Sequence, residues 1–543
     1  MGHTASPARR WAPLLLLAIL AAGCSTFADD DGDAGGSPES TLPAAATLLR
    51  VATVDWPSCL NPLTCADGPA RDLVLEHVVP KLMEVDAAGS YVPSPVLAGA
   101  PDVAVDPVTG EQTIVFVLAE EARWHDGRPI TSSDVRGTWE ARMATPGAAT
   151  AGHDLITAVD DVDPLVARVT LRQPWSDWPE LFGGEQGWLL QADAFGPDLD
   201  LTARFDDFVS FGAGPYELVS FDEQSLVLVA RSDHWDPERQ AGIDQVRIDH
   251  FPDLGDADAS VPGSIDLVVP GDELPEVPGR FAVAMRPEPA VVGLLFDRRT
   301  PPLASLGVRL AIDAAVDRRD LVELAEVDPD DLVTCLGALP GDEACGEQLA
   351  EEGASVEETD AILVFDGWLV GPDGRRGRPD LPLATPVSYD PLLEGAEDIA
   401  GAVVDALAGR GFIVAAQPVP EAEWFRPDRQ EALGIGVYAT PLGTAARVLA
   451  LHGCGEGTAN PLGWCDPEPQ DLARSLATAP DEDRRRAVIE ELGSLAAESV
   501  AWLPLHQRSG RFLVDADRIE LPDLAPLGSG PLGALHAFER ADR

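Results

Sequence analysis

Residues 122–135 read ARWHDGRPITSSDV. How the chain is understood turns on whether His125-Asp126 is half of a catalytic centre or part of a turn. The alternating run Thr113 to Leu118 ahead of it predicts a strand, and Asp126-Gly127 is a dipeptide whose backbone tolerates positive φ. Behind it, Thr131-Ser-Ser-Asp134 has the capping-box spacing that satisfies free amides at a helix N-terminus. Val135, Trp139 and Met143 then recur every fourth residue. The stretch therefore predicts strand, turn and capped helix. A catalytic His-Asp pair needs a nucleophile, and no G-x-S-x-G motif occurs in the chain, so no catalytic residue is expected and the protein is not expected to be an enzyme.

A chain of 543 residues is long enough for two to four lobes. Arg9 and Arg10 precede the apolar run Ala12 to Ala22, too short for a comfortable membrane span, which predicts an export signal over residues 1–23. Ala21-Ala-Gly-Cys24 resembles the lipobox of bacterial lipoproteins, which implies cleavage before Cys24 and lipid attachment to it; the alternative is a secretory signal whose cysteine is incidental. Residues 24–47, with Asp29 to Asp33 followed by Gly, Ser and Pro, read as an acidic linker without a core-forming pattern. Together these predict a protein exported and lipid-anchored on the outer face of a bacterial cell membrane, or periplasmic.

The six remaining cysteines fall into close pairs: Cys59 with Cys65, Cys335 with Cys345, and Cys454 with Cys465. In an exported chain this predicts disulfides. The competing reading is a metal site around His452, Cys454 and Cys465, although no pair has C-x-x-C spacing. The nine histidines are scattered, so neither a metal held by imidazoles nor a cofactor is expected. The formal charge of -54, with Lys81 the only lysine, makes nucleic acid and anionic lipid poor partners. Spread along the whole length, it speaks more to solubility in a salty habitat than to attraction of a cationic ligand.

Along the mature part, Leu48 to Val54 is strand-like and Pro69 to Met83 is expected to be helical. Phe211-Gly-Ala-Gly-Pro-Tyr216 leads into the alternating Ser225 to Ala230, a glycine-bent loop feeding a hairpin. Val292 to Asp297 and Thr385 to Tyr389 read as strands, and Leu306 to Leu324, Glu397 to Arg410 and Asp481 to Ser499 as helices. Phe412 to Ala416 and Val500 to Leu505 complete an α/β pattern.

Several stretches in order carry a resemblance: Cys59-Leu-Asn-Pro62, Ala122 to Thr131 with Asp134-Val135, Gly212 to Tyr216, Ser232-Asp-His-Trp235, Val308 to Arg318, and Leu503-Pro-Leu505. With them the chain resembles the extracellular solute-binding proteins of family 5, the oligopeptide, dipeptide and nickel receptors of bacterial ABC importers. The resemblance implies a two-lobed periplasmic-binding-protein-like α/β fold with a hinge. Lobe one would span residues 48–290 with a subdomain inserted at about 86–209, lobe two 291–501, and residues 502–543 would return to lobe one. It implies a solute and ABC permease subunits as partners, with the protein itself a monomer. A fold relative serving as an envelope sensor or scaffold is the alternative.

Peptide receptors of this family hold the peptide's α-ammonium with an aspartate in lobe two. The comparable stretch here, Gly434 to Leu442, contains no acid, Asp297 stands where the family has Asn, and Leu451 to Asp466 carries a cysteine pair in place of a tyrosine-rich form. Flat aromatics on loops between lobes suit a solute held by shape, and Trp188, Tyr438 and Trp464 are the expected contacts. Trp124, Trp139, Trp235 and Trp502 lie in periodic or motif segments and are expected to pack.

Overall fold

The computed structural model describes residues 47–541, apart from 66–67, 185–186, 206–208, 254–262, 271–278, 346–354, 427–430, 455–459, 523–524 and 526. Residues 1–46, including the export signal, Cys24 and nearly all of the acidic linker, lie outside the described residues.

Two long strands, Phe281–Phe296 and Trp502–Asp515, pair antiparallel at the centre of a ten-stranded sheet. At one end, Phe296 to Ala290 continues into Ile435–Pro441, Ala384–Tyr389 and Ile413–Pro418, the last two joined in parallel. At the other, Val514 and Leu513 pair with Leu267–Val269, followed by Leu48–Thr53, Gln245–His250 and the hairpin strands Ser225–Ala230 and Tyr216–Phe221. One lobe lies at each end. The sequence placed the boundaries at residues 290 and 502; the strand Phe281–Phe296 runs unbroken through 290, whereas Trp502 is the first residue of the other strand.

Lobe two covers its part of the sheet on both faces. Leu294 and Phe296 point to a cluster with Val308, Ile312, Ile399 and Val403, whereas Val291 and Leu295 point the other way, to Val448, Leu476, Val488 and Leu492. A sheet buried on both faces explains why Ile435 to Val437 reads as a continuous apolar run. Each leucine or valine so buried contributes about 1.5–3 kcal/mol. In lobe one, a separate antiparallel sheet of Asp102–Val105, Gln112–Val117, Val166–Leu171 and Ile156–Asp163 carries the helix Ser132–Ala144 and shares one apolar cluster with Leu49, Val51 and Leu226. It falls inside the stretch expected to form an inserted subdomain.

Two expected helices differ. The one expected over 69–83 spans only Gly68–Leu75. Beyond it the His77 and Val78 carbonyls accept hydrogen bonds from Tyr216 (3.2 Å), Ala213 (2.9 Å) and Gly214 (3.1 Å), and Pro80 disfavours helical backbone at Val79. The helix expected over 306–324 is two, Leu306–Asp313 and Arg318–Leu324, because Asp317 caps the second by accepting from the Arg319 amide at 3.0 Å. Within the first, buried Arg309 donates to the Ser499 and Val500 carbonyls at 2.7 and 3.0 Å, just past the C-terminus of the helix Glu482–Glu498, where a cation is favoured.

The cysteines pair as expected, Cys59–Cys65, Cys335–Cys345 and Cys454–Cys465. The first closes a loop around buried Asn61, which donates to the Leu201 carbonyl at 2.8 Å.

His125 and Asp126 are scaffold. The His125 amide donates to the Gly212 carbonyl at 2.7 Å, its Nε2 meets the Gly214 carbonyl at 2.9 Å, and burial pushes the imidazole below its ordinary range. Gly127 has φ +83°, and Asp134 accepts from the Thr131 amide (2.8 Å), the Ala192 amide (2.9 Å) and the Trp124 indole (3.2 Å). The Gly-Ala-Gly loop is thus clamped between residues 77–78 and His125. A Cβ on Gly214 would lie 2.2 Å from the His77 carbonyl oxygen. Gly214→Ala is therefore expected to lower stability by about 2–3 kcal/mol in urea unfolding, as overpacked cores do. Gly99→Ala, where a Cβ meets nothing within 4 Å, should stay within about 0.5 kcal/mol.

Candidate functional site

The crossing strands do not pair evenly. Pro287 stands opposite Ser509 and Val291 opposite Gln507, so Glu288, Pro289 and Ala290 face Arg508 alone. Pro287 and Pro289 cannot donate to a ladder. The irregularity is held instead by the Arg508–Glu288 ion pair at 3.1 Å and by Gln507 donating to the Glu288 carbonyl at 3.0 Å.

Above this point opens a cleft of about 930 Å³, within the range of small-molecule sites. Its floor is Arg286 to Ala290 with Arg508 and Gly510 to Phe512. One wall comes from lobe one, including Glu76, His77, Val79 to Lys81 and His234 to Asp236, and the other from Leu339, Pro441 to Thr444 and Arg447 of lobe two. Residues Leu527 to Pro531 close one side.

The lobes also touch beside the cleft. Asp177, buried among lobe-one residues, accepts hydrogen bonds from the Ala445 and Ala446 amides, both at 2.8 Å, at the start of the lobe-two helix Ala445–His452. Thr444 takes the Arg447 amide at 3.2 Å, so the two lobes share the capping of one helix. The Ser176 amide adds a bond to the Ala477 carbonyl at 3.0 Å. Burial raises the Asp177 carboxyl above its ordinary range even though two amides favour its charged form.

The charge balance at the cleft differs from that of the chain. Its described lining residues include six lysines or arginines and seven acids, against 38 and 92 overall, so cations are concentrated there. Arg239 is gripped by Glu84 at 2.8 and 2.6 Å, and Arg511 pairs with Glu394 and, at 3.5 Å, with Glu326. Lys81 Nζ sits 3.9 Å from the centre of the Trp188 ring. Glu76 is exposed at the cleft, and desolvation by the surrounding protein, with Asp72 and Glu84 adding to it, pushes its carboxyl above its ordinary range against the pull of Lys81. Burial lowers His77 to about 3 and His234 to about 4, so both are neutral near pH 7. Among the described residues, no group of three or more histidines, cysteines or acids is placed to hold a metal ion.

Of the three aromatics expected at a ligand, only Trp188 lines the cleft, and there it lies buried beneath Lys81. Tyr438 is in the lobe-two core, stacked 4.6 Å from Trp424, with its hydroxyl donating to the Val419 carbonyl at 2.7 Å. Trp464 is likewise buried, donating to Asp466 at 2.8 Å beneath the Arg298 guanidinium. Trp124 and Trp502 are buried as expected and Trp139 is partly buried, but Trp235 also borders the cleft while donating to the Ala213 carbonyl at 3.0 Å. Buried Asp297, which stands where the family has Asn, is matched by Arg299 at 2.7 Å. Sequence reasoning missed Lys81, Glu76 and Arg286; the signal for Lys81 was its being the only lysine.

Two α/β lobes joined by crossing strands, with a cleft at the crossing, define the class of two-lobed solute-binding proteins. The profile of the bacterial extracellular solute-binding proteins, family 5, matches residues 93–443, and the chain belongs to that family. It is similar to the probable monoacyl phosphatidylinositol tetramannoside-binding protein LpqW of Mycobacterium tuberculosis, 27% identical over 256 residues, 44% of this chain and 39% of that protein. It is also similar to the oligopeptide-binding protein OppA of the same species, 24% identical over 353 residues, 59% of this chain and 58% of that protein. The matches thus span about two fifths to three fifths of the length of these relatives. Among solved structures, the periplasmic EDTA-binding protein EppA superposes with a TM-score of 0.74 at 18% identity, covering 92% of this chain and 98% of that one. AppA of Bacillus subtilis in complex with a nonapeptide gives 0.63 at 15% identity, covering 92% and 99%. At these identities the structures share the fold alone.

If Asp177 holds the lobes together, Asp177→Ala should weaken the bridged form by about 1.5–3 kcal/mol, the range for hydrogen bonds to a charged group. Small-angle scattering on the ligand-free protein should then report a larger radius of gyration; an unchanged radius means that the bridge does not hold the lobes.

Proposed function

We propose that the protein is the solute receptor of an ABC importer. It captures a small organic solute, a short peptide among the candidates, outside the membrane and delivers it to a permease. The observation that carries this reading is the cleft of about 930 Å³ directly over the irregular crossing of the two inter-lobe strands. A solute touching both walls there favours the closed arrangement by its differential contacts, and a permease reads the closure. No bond in the solute is made or broken.

Residues 1–23 direct export, Cys24 carries the lipid, residues 25–47 tether the folded body, and the protein works as a monomer. Trp188 acts on the solute through Lys81, while Tyr438 and Trp464 shape lobe two behind Pro441 to Arg447. Because the strand Ile435–Pro441 carries no acid, an α-ammonium is not held there in the manner of the peptide receptors.

Native mass spectrometry of the gently purified protein, compared with the denatured protein, is expected to release a small molecule. Added back at a hundred times its dissociation constant, that molecule should raise stability by about 2.7 kcal/mol and shrink the radius of gyration. A protein that carries nothing and is neither stabilised nor closed across peptide, sugar and metal libraries belongs instead to the sensor or scaffold class.

A further inference from the structure

Resting on that reading, we infer that the cleft takes an anionic solute, whose carboxylate or other oxyanion is held by the ammonium group of Lys81. The residue stands out in composition: every other one of the 38 lysine and arginine residues is arginine. Its backbone is fixed from both sides. Lys81 and Trp188 form an isolated antiparallel bridge, the Leu82 amide donates to the Phe182 carbonyl at 3.0 Å, the Leu189 amide to the Pro80 carbonyl at 2.8 Å, and Ser94 Oγ to the Lys81 carbonyl at 2.6 Å. The side chain is fixed as well, because Nζ lies 3.9 Å from the centre of the buried Trp188 ring.

A cation over an aromatic face is held by the ring's quadrupole without using an N–H, so the ammonium keeps its three donors. Among the described residues Lys81 makes no side-chain hydrogen bond or ion pair. Other cleft cations differ: Arg239, Arg508 and Arg511 are each matched by carboxylates. An arginine at position 81 would stack flat on the indole and spread its donors sideways, whereas lysine projects a compact charge. On the hinge strand, Arg286 adds a second cation without a carboxylate partner among the described residues, its guanidinium meeting only the Pro522 carbonyl at 3.4 Å.

Lys81 pulls on the carboxyl of Glu76, which desolvation, with Asp72 and Glu84 adding to it, raises above its ordinary range, and no hydrogen bond or ion pair among the described residues joins the two side chains. The net charge of -54 repels an anion at a distance, but that repulsion is screened beyond about 8–10 Å at physiological salt, and contact with Lys81 decides the final step.

With one lysine, reductive methylation with carbon-13 formaldehyde gives a single side-chain dimethylamine resonance, resolved from the terminal amine and still cationic. Titration with acetate and with phosphate is expected to shift that resonance saturably, while acetamide, or chloride at equal ionic strength, leaves it in place. In Lys81→Met, stabilisation of the unlabelled protein by phosphate should require at least tenfold more phosphate. A resonance that moves no more with oxyanions than with chloride, or a methionine variant that responds to phosphate like the parent, overturns the inference. The two readings fail separately: a released solute that closes the lobes yet carries no negative charge keeps the receptor and removes the anion.

Discussion

The structure depends on the pairing of Phe281–Phe296 with Trp502–Asp515. Each strand gives one half to each lobe, so the lobes are parts of one hydrogen-bonded sheet. A regular ladder through this point would be stiff. Three residues facing one, with two prolines that cannot donate, remove ladder bonds at the crossing between the lobes. The ends of the strands stay anchored in apolar clusters on either side, which confines the freedom to a few residues under the cleft.

Against that softness stands the contact through Asp177. One carboxylate satisfying two amides of a helix in the other lobe is short-ranged and directional, so it acts only when the lobes are close. Burying the charge opposes the gain from the two hydrogen bonds, which is why the carboxyl is raised. A contact of a few hydrogen bonds, opposed by the burial of its charge, biases the lobes toward each other without locking them.

Much of the fold was legible in residue order. The capping spacing at Thr131 to Asp134, the Asp126-Gly127 turn and the three cysteine pairs each act over a few residues, and all formed as read. The helix past Leu75 did not form, because the carbonyls that would have extended it are taken by residues 213–216, more than a hundred positions away. The site was read less well for the same reason. Tyr438 has the same aromatic side chain whether its strand borders a cleft or a core, and only the covering by Trp424 and Val419 decides. Lys81 was visible in composition as a lone lysine, but its place over Trp188 joins two segments that sequence alone leaves apart.

The order of strands in the sheet also bears on how the chain is made. Trp502–Asp515 is the last of its ten strands in sequence yet sits near the middle, between Phe281–Phe296 and Leu267–Val269. Neither lobe can complete its hydrogen bonding until this segment has left the ribosome, and the contacts it makes with Leu267 and Val268 close a loop of more than two hundred residues. Non-local pairing of this kind slows folding. Until this strand pairs, the edges of Phe281–Phe296 and Leu267–Val269 that flank it stay open, so both lobes wait on one late segment.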